Sequence, residues 1–527
     1  MKQCSILKLI SLLLTLTFVI PMFSCGNKES TTTTTAQQEK EEPKVYSNES
    51  LLTILPAPKE VKLEGDKNNY VVYNVKPCIA TNDESFVQYI NPFIEYAAKL
   101  NGITLTYESG GIELKRDSKL KAGQYSIVCD KNGIAVSAAD NDGITYGLAT
   151  LHQIIKLDND TITVPSYTIV DQPDCSYRAL MIDLARNWHT LDEIKDYIDL
   201  CYLYKIKFIH LHFSDKESYT LPSKAFPKLS TVRRSYSAKD IANLNQYALE
   251  RNIEIIPEID MPGHAACITS AYPNLFKHTG SNEGNVLCMG KPNFMENMKI
   301  LMEELIAMFP NSRYIHVGGD EANFSASNDC SDCKKYMQDN GIKNTEALYT
   351  HFVKEITDLV LSLGKTPVVW EGFPKEGAET ISRDIVVTAW ESLYHLPNDL
   401  IAEGFTVTNS SWQPMYIVYP EHSNVKDGRW QPMEIINEWN IYTWRNWWNA
   451  SAAYKQPIVV EPTDQVIGGT VCVWETTYAK SSIAVMENLS AASEKMWNVN
   501  GSVSVRKIMN SMENLWGMAS KLLDSKK

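Results

Sequence analysis

The chain has 527 residues, 44% of them hydrophobic and 21% charged, with a formal net charge of −13 at pH 7. That is apolar material for two domains, or for one barrel-sized domain with an appendage, and it excludes a fibrous or wholly disordered chain. The acidic balance argues against nucleic acid or an anionic membrane surface as the main partner.

In chain order, a short basic start (Lys2, Lys8) precedes an apolar run from Leu9 to Ile20. The run is too short to span a bilayer but suits a signal-peptide core. It ends at Pro21-Met22-Phe23-Ser24-Cys25-Gly26, which resembles a bacterial lipoprotein processing site. Residues 1–24 are therefore expected to be removed, and Cys25 to carry a lipid that anchors the exported chain to a membrane. Residues 25–50 are polar and low in complexity. They cannot bury enough surface to offset chain entropy and are expected to form a disordered tether.

Residues 51–172 read as a small α/β domain. The stretch 85–100 has helical apolar spacing, 124–130 and 133–139 are short strands around Lys131-Asn132-Gly133, and a helix follows over about 143–156. The boundary is placed at Asp171-Gln172-Pro173. From 173 to 527 the pattern changes to apolar strands alternating with helical stretches. The strands are 179–185, 208–213, 253–259, 314–319, 366–372, 385–390, 405–411 and 469–474, with two helices after residue 480. Eight such units predict a (β/α)8 barrel. A doubly wound sheet competes, but no Gly-rich phosphate loop follows any strand.

Barrel chemistry sits at the C-terminal ends of the strands. Strand two ends in His210-Leu211-His212-Phe213-Ser214-Asp215, and strand three in Pro257-Glu258-Ile259-Asp260-Met261-Pro262-Gly263-His264. Strand four ends in His316-Val317-Gly318-Gly319-Asp320-Glu321. Strand five gives Trp370-Glu371, strand six Trp390-Glu391 and strand eight Trp474-Glu475, while Trp412 and Tyr416 follow strand seven. Carboxyl groups supply the proton donor and negative charge that glycosidic cleavage needs, and tryptophan faces cover the C–H faces of a sugar. Along a strand Asp320 and Glu321 point to opposite sides, so both face one ligand only if the backbone turns there. Adjacent like charges raise at least one pKa, which suits an acid that must be protonated near neutral pH.

The motifs HVGGDE, PEIDMPGH, YRALMIDLAR and the two WE pairs at strands five and eight resemble family 20 glycoside hydrolases, the β-N-acetylhexosaminidases, over most of residues 51–500. The resemblance implies that Glu321 is the general acid and that Asp320 orients the substrate's 2-acetamido group. The acetamido oxygen is then the nucleophile of a retaining, substrate-assisted reaction on a terminal N-acetylhexosamine. It also implies that Tyr416 hydrogen-bonds the acetamido oxygen and that Trp370, Trp390 and Trp474 wall the pocket. His264 and Asp215 would support the acid, Arg178 would hold sugar hydroxyls, and no metal or cofactor is implied. Three departures stand out. Lys216-Glu217-Ser218 follows Asp215 where a further Asp and a Trp are usual, Val418 stands where an acid or amide is common, and Glu475 adjoins its Trp where the usual acid lies two residues on.

Two other functions compete: a glycan-binding lipoprotein without activity, and a metal-dependent hydrolase built on His210-Leu211-His212 with His264 and His316. Nine cysteines remain once Cys4 and Cys25 are set aside. Cys330-Ser331-Asp332-Cys333 reads as half of a zinc site, but no second CxxC or His pair follows nearby. In an exported chain a disulfide of Cys330 or Cys333, with Cys288 as a partner, is favoured over metal.

Overall fold

Eight parallel strands close on themselves in the computed structural model, which describes residues 53–66, 69–418, 431–501 and 504–523. The expected signal peptide, the tether and Cys25 lie outside the described residues. Among the described residues no helix is long and apolar enough to cross a membrane.

The barrel strands are β1 (Tyr177–Asp183), β2 (Phe208–His212), β3 (Glu254–Glu258), β4 (Tyr314–His316), β5 (Thr366–Trp370), β6 (Val386–Ala389), β7 (Thr406–Asn409) and β8 (Val466–Trp474). Each pairs in parallel with the next, and β8 returns to β1 with Tyr177 opposite Gly468 and Ile182 opposite Val473. Alternation along each strand divides the side chains between two environments. Leu180, Ile182, Ile209, Leu211, Val369 and Val473 face outward into the large core under the helices. Tyr177, Ala179, Phe208 and Ile256 pack together as a plug at the strands' N-terminal end, and Met181, Trp370 and Cys472 belong to a second layer above it. The barrel is filled, not hollow.

The helices begin where the sequence provides caps. Thr190 and Glu193 form a capping box at the start of Leu191–Leu203, and Ser237 and Asp240 do the same for Ala238–Glu250. Two long helices, Tyr478–Trp497 and Val505–Leu523, complete the barrel unit.

The seventh strand is broken. β7 pairs with β8 at Val407–Asn409, then the chain leaves the sheet and comes back as the short strand Tyr416–Val418. This strand pairs with the upper part of β8, with Tyr416 opposite Cys472 and Val418 opposite Trp474.

The preceding domain carries a seven-stranded mixed sheet with the helix Asn141–His152 against it. The expected strands appear as Tyr125–Asp130 and Gly133–Ala138. The expected helix over 85–100 is instead a succession of a 3-10 turn (Glu84–Tyr89), an α-helix (Ile90–Tyr96) and a π turn (Ala97–Asn101).

Candidate active site

The carboxylates and aromatic residues that end the strands converge on one mouth of the barrel. β4 stops at His316, and the backbone then turns through Gly318 (φ 72°) and Gly319 (φ 114°), with Glu321 at φ 47°. A Cβ on Gly318 would lie 1.7 Å from Asp260 Oδ1, so only glycine fits this turn. The turn brings Asp320 and Glu321 to the same nitrogen of His264 in spite of strand alternation.

Asp215, fully buried, is the hub of the charge network. It accepts from His212 Nε2 at 3.1 Å, lies 2.6 Å from Arg186 Nη2, and faces His264 Nδ1 at 3.3 Å. The other nitrogen of His264 stands 3.3 Å from Glu321 Oε2 and 3.8 Å from Asp320 Oδ2. Burial opposes charge on both Asp215 and His264. The neighbouring ions prevail, holding the Asp215 carboxyl far below its usual range and His264 well above its own.

The like-charge expectation is met at Asp320, not at the proposed acid. Burial raises Asp320, with Glu321 adding to the rise and His264 opposing it. Glu321 is lowered, because the neighbouring His264 outweighs its partial burial. Asp260, behind the pair, is raised well above its usual range, first by burial and then by Asp320. Glu391 is pushed up to about 8 by burial and by the charges of Glu371, Glu321 and Asp320. Asp320 Oδ1, Glu391 Oε2 and Trp474 Nε1 are buried without a hydrogen-bond partner. Such unsatisfied groups around one mouth are expected of a site whose partner is a polar ligand.

The aromatic wall is built from Trp390, Trp412, Tyr416 and Trp474. Trp390 and Tyr416 lie parallel with centroids 6.0 Å apart, and Trp412 is 5.6 Å from Trp390 and 5.4 Å from Tyr416. Trp474 packs 6.3 Å from Tyr416 and 5.8 Å from Trp370. Trp370 sits deeper than expected of a wall, 1% exposed, with Nε1 donating to Glu258 Oε1 at 2.6 Å. Glu475 lies at the rim, 3.7 Å from Arg186 Nε. Glu371, fully buried, accepts the backbone N–H groups of Ser392, Leu393 and Tyr394 and so shapes the loop after β6.

Arg178 is not at this mouth. It lies on β1 at an outward-facing position near the strand's start, fixed by Lys205 O, Cys175 O and the Tyr146 hydroxyl against the preceding domain. Arg186, at the other end of the same segment, occupies the site instead. It contacts Asp183 and Asp215 and lies 5.1 Å over the Trp474 ring. The rule that chemistry gathers at strand C-terminal ends would have selected Arg186 from YRALMIDLAR.

His210 and His212 do not form an open metal-binding pair. His210 Nε2 and His212 Nδ1 both face Glu258 Oε2, at 2.9 and 2.5 Å, inside the barrel, and His212 Nε2 is taken by Asp215. His316 packs 4.7 Å from Trp370 in the same interior layer. His210 Nε2 and both nitrogens of His212 are thus engaged by carboxylates of the acidic network. The disulfide expectation also fails. Cys288, Cys330 and Cys333 are all free thiols, with Cys288 Sγ 3.5 Å from each of the others.

Comparison with known proteins places this architecture. Residues 175–500 match the model of the glycosyl hydrolase family 20 catalytic domain, and residues 51–172 match domain 2 of that family. A β-hexosaminidase of Porphyromonas gingivalis is 30% identical over 298 residues, covering 51% of this chain and 38% of its own. One of Vibrio furnissii is 29% identical over 314 residues, covering 54% of this chain and 51% of its own. The chain thus spans about half or less of the length of these two relatives. The exo-β-N-acetylglucosaminidase of Vibrio harveyi, solved with N-acetylglucosamine, superposes with a TM-score of 0.75 at 21% identity, covering 93% of this chain and 80% of that one.

Proposed function

The chain belongs to glycosyl hydrolase family 20, and from that membership and the geometry of its mouth we propose that it removes terminal β-linked N-acetylhexosamine from glycans, using the substrate's own acetamido group as nucleophile. Asp320 carries the reading: a buried carboxylate with an unpartnered oxygen beside the acid Glu321, within an aromatic pocket. An acetamido N–H supplies the donor that Asp320 Oδ1 lacks, and the Tyr416 hydroxyl, near enough to feel the Asp320 charge, supplies a donor for the acetamido oxygen. That oxygen attacks C1 while Glu321 gives its proton to the leaving oxygen, forming a bicyclic oxazolinium. Glu321, now ionised, takes a proton from the water that opens the ring.

In the free protein Glu321 is held ionised by His264. A bound sugar excludes water from the half-exposed Glu321 side chain and shifts it toward the protonated form the first step needs. Arg186 and Glu475, at the rim, are placed to hold hydroxyls of the same sugar. The N-acetylglucosamine held by the Vibrio harveyi enzyme carries the group this reading requires. The lipid anchor at Cys25 belongs to the same proposal. Cys25→Ala should move the activity from the membrane fraction to the soluble one without changing its turnover.

The test compares an aryl N-acetylglucosaminide with the same glucoside lacking the 2-acetamido group, and follows the anomer released by NMR. The expected result is loss of activity without the acetamido group and retention at C1. Comparable turnover of both substrates, or inversion, rejects the proposal.

A further inference from the structure

We propose that His278, Cys288, Cys330 and Cys333 form a structural zinc site that clips the loop after β3 to the loop after β4. The three thiols are fully buried and His278 is 3% exposed. Cys288 Sγ lies 3.5 Å from both Cys330 Sγ and Cys333 Sγ. That is far beyond a disulfide at about 2.05 Å. It is close to the edge of a tetrahedron of thiolates around zinc, about 3.8 Å for Zn–S of about 2.3 Å. The ligand atoms of His278, Cys288 and Cys333 all lie within 4.8 Å of one another.

His278 supplies an independent observation. Its Nε2 is 2.9 Å from Ser327 Oγ, while its Nδ1 is buried without a partner. With Nε2 donating to Ser327 Oγ, Nδ1 keeps its lone pair, the arrangement of a partner behind a metal-bound imidazole. Asp332, also nearby, is already engaged by Lys291 Nζ at 2.8 Å and Thr279 Oγ1 at 2.6 Å, which leaves three thiols and one imidazole. The backbones meet just as closely. A Cβ on Gly290 would lie 2.5 Å from Cys333 Cα, so the turn after Cys288 admits only glycine.

The location gives the site a purpose. Leu287 N–H donates to Pro262 O and Ala265 N–H to Asn285 O, which ties the Cys288 segment to the turn carrying His264. Cys330 and Cys333 close the segment that follows Glu321. Zinc there holds His264 and Glu321 in register without touching substrate.

Elemental analysis of the full chain, purified without chelator, should find about one zinc per chain. His278→Ala and Cys333→Ser should lose it, and His278→Cys should keep it. Ser327→Ala should weaken zinc affinity about 10- to 100-fold in competition with a chelator. Should those variants fold poorly, cobalt(II) added to metal-stripped wild type should give thiolate-to-metal charge-transfer bands of a tetrahedral site. Wild-type protein that holds no zinc and takes up neither ion, or a disulfide among these cysteines in mass spectra, overturns the proposal.

Discussion

His264 Nε2 stands 3.3 Å from Glu321 Oε2, and this neighbour holds the Glu321 carboxyl below its ordinary pKa. Under the proposed mechanism the acid is loaded by substrate, and the basic limb of kcat/KM, which reports the free enzyme, should lie at lower pH than that of kcat. His264→Gln should move the kcat/KM limb to higher pH while lowering kcat. Coincident limbs for kcat and kcat/KM would show that substrate does not shift Glu321.

Glu321→Gln should lower kcat by about 10²- to 10⁴-fold on a substrate with a poor leaving group, and by less on an activated aryl one that needs little protonation. The ratio of the two losses is the measurement. Equal losses would place the acid elsewhere.

Arg186 and Arg178 should separate cleanly. Arg186→Met removes charged hydrogen bonds at the rim, each worth about 1.5–3 kcal/mol, and should cut kcat/KM by at least tenfold. Arg178→Met leaves three acceptors of the domain contact unpaired and should lower Tm with KM unchanged. The reverse pattern would restore Arg178 to the site.

Burial and neighbouring acids push Glu391 up to about 8. A carboxyl raised by folding contributes its stability in the protonated form. That contribution is complete below the ordinary value near 4.3 and lost as pH rises through 8. Glu391→Gln should therefore gain Tm relative to wild type between pH 5 and pH 9. A constant difference across that range would mean that Glu391 is not protonated in the fold.

Val418 belongs to the same apolar cluster as Trp390 and Tyr416, and the family resemblance implies an acid or amide at this place. A small ratio of GlcNAc to GalNAc hydrolysis is expected, and Val418→Asp should change it. A large wild-type ratio would show that another residue distinguishes the two sugars.

The barrel was legible because apolar runs ending in polar clusters recur eight times, and burial on both faces leaves no simpler reading of such runs. Asp320, Glu321, His264 and Asp215 were legible because they stand within motifs at strand ends. Arg178 misled because the motif YRALMIDLAR holds two arginines, and only strand direction tells which one reaches the mouth. The role of Glu258, which gathers two histidines of β2 and Trp370 of β5, was hidden because these partners lie on strands far from it in the chain. Likewise His278 and Cys288 meet Cys330 and Cys333 only through the packing of two loops, which spacing in the chain does not reveal.

The break in the seventh strand gives one sheet position two separable tasks. Thr406–Asn409 keeps the wall continuous, while Tyr416–Val418 is borne on a detour that rejoins the sheet higher up. Changes at the partly exposed Trp412 and Gln413 would re-aim Tyr416 and Val418 without touching the β7–β8 ladder, which lies below them. Ser410, Ser411 and Met415 are buried, so the part of the detour free to vary is Trp412 and Gln413, and a library confined to those two positions is the place to look for altered selectivity.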